Sequence, residues 1–231
     1  MAKIITVAQQ KGGAGKTSIA AHLAIAWAGY GTEQRGSAFR QPANDTGWKP
    51  LRKVTLLDMD PQESLTHWFR VRQDKFPEEE SLSVLSANGW RMGSELARAK
   101  RDSDIVILDT PPHAENSSLR QAIRVADLIV VPTQLSPMDI WASQTTLELV
   151  ARERKNCIIV LNRVPPRARL ANELMAKLKA DRLPLAKSHV GNRIAYASSL
   201  MEGQGVTEAA PGSLAAAEIR LLAGEVLRKT A

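Results

Sequence analysis

The 231 residues carry 31 Lys and Arg against 24 Asp and Glu, and 44% are hydrophobic, enough to bury one sizeable core and to favour a single α/β domain. No run approaches the ~18 apolar residues of a membrane span, the opening Met1–Thr6 lacks the apolar stretch of a secretion signal, and the lone Cys157 excludes an internal disulfide or a multi-thiolate cluster, so a cytoplasmic protein is expected. The formal net charge of +7 is local: residues 1–150 hold 17 basic and 17 acidic side chains and residues 151–231 hold 14 and 7, which suits a polyanion-binding face and equally a merely solvated one.

Strand and helix patterns alternate along the chain. Lys3–Ala8 is a short β-branched run, followed by a Gly-rich turn and a helical pattern through Ala20, Leu23, Ala24 and Trp27. A Gly-, Pro- and polar-rich stretch without a period then marks an insertion at about 29–52. It is either a tolerated surface loop or a partner- or DNA-binding one using Arg35, Phe39, Arg40 and Trp48. Val54–Asp58 is a second strand, and Pro61 stands where a helix N1 proline would, ahead of an amphipathic stretch to about Gln73. Ile105–Leu108, Leu128–Val131 and Ile158–Leu161 are further strands, with helices over Met138–Arg154 and Leu170–Lys179. Leu214, Ile219, Leu222 and Val226 give a last helix one packing side. Strands apolar on both faces, alternating with helices, specify an α/β fold with a doubly wound, mostly parallel sheet flanked by helices.

Between the first strand and the first helix lies Lys11-Gly12-Gly13-Ala14-Gly15-Lys16-Thr17-Ser18. In that context small residues let backbone N–H groups curl around phosphates, at the positive end of the following helix. Lys16 is placed to reach the β- and γ-phosphates and Thr17 to offer its hydroxyl to Mg²⁺. Asp109, at the end of an apolar strand, suits a carboxylate held near that ion through a water.

Gln10 stands where the strict phosphate-loop pattern has its first glycine, and Lys11 is an additional lysine. This deviant loop resembles that of the ParA/MinD family of ATPases. Leu57–Gln62, Val106–Pro112 and Ala126–Pro132 resemble further motifs of that family, in the same order. The resemblance implies a P-loop NTPase fold with ATP and Mg²⁺ as cofactors. It also implies an ATP-dependent homodimer in which Lys11 reaches the partner's phosphates, so that hydrolysis is coupled to association. By the same resemblance Asp60 positions the attacking water, Asp58 organises the loop around it, and Asn162 contacts adenine. Lys11, Lys16 and Asp60 are thus the catalytic candidates.

Family members differ in cargo. The C-terminal helix lacks the bulky aromatic and dense basic face of a membrane-inserting segment, so no membrane partner is expected. The branch that fits is the one that binds DNA non-specifically when loaded with ATP and positions a plasmid, chromosome or protein cluster. It implies a weak Mg-dependent ATP hydrolase, nucleoid-associated and stimulated by a cargo-bound ParB-like or other small activator. Arg193 and Arg220 fall at the positions where small partition ATPases carry DNA-contacting residues, and Arg163, Arg167, Arg169 and Lys187 are further candidates. A surface ion pair is the competing role for each. A MinD-like membrane-associated regulator and a metabolic ATP-dependent enzyme of the same superfamily are the alternative functions. The four histidines show no metal-ligand spacing, and the five tryptophans read as core or interface.

Overall fold

Short runs of β-branched and leucine residues, apolar on both faces, pair stably only where helices cover both sides of a sheet. The computed structural model describes residues 1–29, 53–87, 91–112, 116–166, 173, 176, 178, 180 and 183–230. Within these, β1 (Lys3–Val7), β2 (Val54–Asp58), β3 (Leu82–Ser86), β4 (Ile105–Asp109), β5 (Leu128–Gln134) and β6 (Cys157–Asn162) form one sheet in the order β3-β2-β4-β1-β5-β6. Every pairing is parallel. The helices are α1 (Lys16–Ala28), α2 (Ser64–Lys75), α3 (Met92–Asp102), α4 (Asn116–Val125), α5 (Pro137–Arg152), α6 (Ile194–Met201), α7 (Val206–Ala209) and α8 (Leu214–Lys229).

Helix α1 has almost no polar face, because the sheet covers one side and α8 the other. Ile19, Leu23, Ile25 and Trp27 are fully buried, each aliphatic side chain stabilising the fold by roughly 1.5–3 kcal/mol. The Trp27 indole N–H donates to the Ala223 carbonyl of α8 at 3.2 Å. His22 ties the same helix to α7, its Nδ1 accepting the Val206 N–H at 3.1 Å. Burial lowers the His22 pKa to about 4, so the ring stays neutral.

A second tie joins α2 to the segment before α8. The fully buried Arg72 donates from Nε to Glu79 Oε2 at 2.5 Å, from Nη1 and Nη2 to Glu208 at 2.9 and 3.0 Å, and from Nη1 to the Gly203 carbonyl at 3.0 Å. Gly203 has φ +66°, and a Cβ there would sit 2.6 Å from the Arg72 backbone nitrogen.

Three expectations are corrected. Strand β3 escapes the search for apolar runs, because at the sheet edge only Leu82 of its five residues is buried. Pro61 is not a helix N1 residue: it lies in a turn, and α2 begins at Ser64 after Glu63 in the left-handed region at φ 51°. In α8, Ile219, Leu222 and Val226 are buried as expected, but Leu214 is 68% exposed. Residues 30–52, which make up nearly all of the expected insertion and include Arg35, Phe39, Arg40 and Trp48, lie outside the described residues. Most of the helix expected at Leu170–Lys179 lies outside them too, although Glu173, Ala176 and Leu178 are helical.

Candidate nucleotide site

The parallel register brings three strand ends together. Val7 pairs with Asp109 and Asp58 with Asp109, so the segments after β1, β2 and β4 open into one crevice at the carboxyl edge of the sheet. The Gly-rich turn after β1 crosses this edge and enters α1, with Gly13 at φ +73° and Gly15 at φ +92°. A Cβ at Gly15 would lie 2.3 Å from Asn162 Nδ2, so only glycine fits. Neighbouring strand ends hold the turn. Asn162 Nδ2 donates to the Ala14 carbonyl at 2.8 Å, and Gln134 Nε2 donates to the Gly13 carbonyl at 3.1 Å. With these carbonyls fixed, the loop is pre-shaped before any phosphate arrives.

Lys16, at the start of α1, is buried, and burial lowers its pKa while the nearby Asp109 and Asp60 carboxylates oppose the shift. Asp109 is 1% exposed, and among the described residues neither of its carboxylate oxygens meets a donor at full hydrogen-bond geometry, although the Thr17 hydroxyl is close enough to act on it. Burial pushes its carboxyl up to about 7, the Thr17 hydroxyl and the Lys16 ammonium opposing and the Asp58 and Asp60 charges adding. An orphaned buried carboxylate facing a threonine hydroxyl is a costly arrangement in an isolated chain. It fits a hard divalent cation with oxygen ligands, such as Mg²⁺, of which Thr17 and Asp109 are the candidate holders.

Asp58, beside Asp109 in the sheet, is arranged in the opposite way. Its Oδ1 accepts the Asp60 N–H at 3.1 Å, and its Oδ2 accepts the Thr66 N–H and hydroxyl at 2.9 and 2.8 Å. Both oxygens therefore shape the turn that carries Asp60 into α2. Asp60 itself is half-buried, its Oδ1 accepting the Gln62 N–H at 2.9 Å.

Lys11 does not extend freely into solvent. Its ammonium lies 2.7 Å from Asp139 Oδ1, in the first turn of α5, and its backbone N–H donates to Gln9 Oε1 at 3.3 Å. The Ser136 side chain caps that helix by accepting the Asp139 N–H at 3.1 Å. Gln9, Gln134 and Asp139 are site residues that the motif reading passes over. The Ser-x-x-Asp capping pattern after β5 was the one available signal, and it points to a helix start, not to Lys11.

The candidate basic residues have different fates. The backbone pairing of Val164 with Val190 and Asn192 lays Arg163 beside the turn that leads to Arg193. Arg163 and Lys187 are exposed, while Arg193 is ion-paired with Glu218 of α8 at 2.6 Å. Arg220 donates from Nη1 to the Pro211 carbonyl at 2.8 Å. Arg167 and Arg169 lie outside the described residues.

Known proteins share this fold. A family model described as "Cellulose biosynthesis protein BcsQ" matches residues 70–227. The chain belongs to that ParA/MinD-type family. Among relatives of this family, the maintenance of carboxysome distribution protein A of Halothiobacillus neapolitanus is 29% identical, over 96% of this chain and 95% of its own length. Apo McdA of Cyanothece superposes with a TM-score of 0.69 at 18% identity, covering all of both chains. The septum site-determining protein MinD of Pyrococcus horikoshii, solved with Mg-ADP, superposes with a TM-score of 0.69 at 17% identity, over 96% of this chain and 95% of that one. The fold is thus the P-loop NTPase fold of MinD and McdA. Among the described residues, no helix is long and apolar enough to cross a membrane.

Proposed function

We propose that this chain is a Mg-ATP-dependent positioning ATPase that dimerises on ATP, binds DNA without sequence preference, and releases it on hydrolysis stimulated by a cargo-bound activator. The observation that carries the nucleotide part is Asp109, buried with no full hydrogen bond among the described residues, beside Lys16 and Thr17 at the mouth of a pre-shaped phosphate loop. The Halothiobacillus relative, named for maintaining carboxysome distribution, supports a positioning role. The basic excess of residues 151–231 supports DNA as the surface on which positioning takes place.

Bound Mg²⁺ supplies charge neutralisation on the phosphates. The loop N–H groups and Lys16 hold the β- and γ-phosphates, and Thr17 and Asp109 hold the ion. Asp60, steadied by the Asp58 turn, orients the attacking water for in-line displacement. Lys11 leaves Asp139 to reach the partner's phosphates, adding charge at the transition state only in the dimer. Arg163, Lys187 and Arg220, with Arg193 beside them, form the surface that meets DNA phosphates. The membrane-associated alternative is less well supported, because the buried side of α8 is occupied by the body of the molecule.

The test is fluorescence anisotropy on a random-sequence duplex at several salt concentrations, with no nucleotide, ADP or a slowly hydrolysed ATP analogue. Wild type is run beside Lys16→Ala, and light scattering reports its mass. Salt-sensitive binding and a doubled mass, both confined to the ATP analogue and both lost in the variant, are expected. Intact ATP binding with no DNA binding in any state would remove the DNA reading, and lipid co-sedimentation or stimulation by a small metabolite would then decide between the alternatives.

A further inference from the structure

A cation binds a DNA phosphate in proportion to the charge it brings unneutralised, since the gain comes from released counterions. By that measure Arg193, at the start of α6, and Arg220, on α8, are not equivalent. We propose that Glu218 is a charge gate on Arg193: it holds the guanidinium at the surface while withholding its charge, so that DNA must compete with Glu218 for it. This inference rests on the DNA-binding reading above.

The geometry is specific. Arg193 Nε lies 3.1 Å from both oxygens of Glu218, and its Nη2 lies 2.6 Å from Oε1. That side-on fork uses the edge of the guanidinium best suited to a phosphate. Glu218 is itself held in place, with Oε2 accepting the Gly191 N–H at 3.0 Å and the Tyr196 hydroxyl at 2.6 Å. The carboxylate therefore stays whether or not the arginine does. The guanidinium lies against the turn backbone, since a Cβ on Gly191 would be 3.0 Å from Arg193 Nε. The Arg193 side chain is nevertheless 35% exposed, against 15% for Glu218, so the arginine is the more accessible partner of the pair. Arg220, two residues along α8, has no carboxylate at ion-pair distance among the described residues and carries its full charge.

The charge of the pair, not only its shape, is what the proposal makes measurable. Glu218→Gln keeps an oxygen acceptor for the turn and removes the negative charge. In the ATP-analogue state it is expected to steepen the slope of log K against log salt by about 0.9, and to tighten binding about fivefold to tenfold near 0.1 M salt. The Arg193→Gln/Glu218→Gln double variant is neutral, like the wild-type pair, and is expected to return the slope to the wild-type value. It carries the test alone if the single variant loses its cooperative melt, because a freely acting Arg193 would make its slope shallower than wild type by about 0.9. ATP binding, which neither residue touches, checks that each variant is folded. Wild-type DNA binding with an unchanged slope in E218Q, or a shallower slope in the double variant, overturns the gate alone. No DNA binding by wild type in any nucleotide state overturns both the gate and the DNA reading.

Discussion

Replacing Asp109 with asparagine is expected to stabilise the nucleotide-free, metal-free protein at pH 8. In the folded chain its carboxyl is pushed from 3.8 to about 7 by burial. Folded pKa above unfolded means that the native state binds more protons between these values. Stability is thus greatest below pH 3.8, falls as pH rises through the window, and reaches its floor above about 7. At about 1.4 kcal/mol per unit, the ionised carboxylate destabilises the empty fold by up to about 4 kcal/mol at pH 8 and by about 1.5 kcal/mol at pH 5. The asparagine side chain mimics the protonated acid, but its amide also lacks partners, and Lys16 loses a nearby opposite charge. A net gain of about 2 kcal/mol at pH 8, shrinking to zero or reversing by pH 5, is the working figure.

The assay is urea unfolding of wild type and Asp109→Asn in EDTA, at both pH values, repeated with ATP and Mg²⁺. The variant is expected to have the higher midpoint at pH 8 in EDTA and to gain clearly less from Mg²⁺ than wild type beyond what ATP alone gives. Wild type gains from both. An Asp109→Asn variant less stable than wild type at pH 8 in EDTA, or a difference that does not change with pH, would refute the reasoning, because Asp109 would then have partners in solution.

His22 acts in the opposite direction. Its folded pKa of about 4 lies below the unfolded 6.5, so stability is complete above pH 6.5 and is lost, by up to about 3 kcal/mol, as pH falls towards 4. In the Asp109→Asn background, which removes the opposing titration, urea midpoints should follow that slope and His22→Gln should flatten it; an unchanged slope would count against the assignment. Arg72→Met leaves Glu79 and Glu208 buried without their cation and is expected to cost about 3–5 kcal/mol by urea unfolding, with a loss under 1 kcal/mol speaking against the clasp. Gly15→Ala places a Cβ against Asn162 at a positive φ and should abolish ATP binding by calorimetry, whereas near-normal affinity would mean that the loop relaxes freely.

Much of this was legible in the sequence because parallel strands buried on both faces announce themselves as unbroken apolar runs. Ile105–Leu108 and Ile158–Leu161 could hardly be anything else, and a Gly-Lys-Thr between a strand and a helix fixes the phosphate loop. Strand β3 hid because an edge strand needs to bury only part of its length, and two of its five residues are serine. Arg72 reads as an ordinary last-turn helix cation, and only the approach of Glu208, 136 positions away, shows why it is buried. The Arg193–Glu218 pair likewise joins residues 25 apart through a turn that no local pattern specifies. Partners distant in sequence leave no periodicity to detect.

Asp58 and Asp109 show how far the same residue type can diverge on adjacent strands. They are cross-strand neighbours, both buried, both at the end of an apolar run. Asp58 is satisfied by three donors from the segment it shapes, so its charge is compensated inside the protein. Asp109 has no such donor at hydrogen-bond geometry among the described residues, only the partial help of the nearby Thr17 hydroxyl and Lys16 ammonium, so most of its compensation must come from outside. If Asp109 had Asp58's partners, the empty fold would be more stable and the site would have little left to offer a cation, since a carboxylate already holding donors gains less from a metal. The instability of the empty site and its fitness for a metal are therefore one property. This is why the stability of Asp109→Asn in EDTA, measured without any hydrolysis assay, tests the functional reading directly.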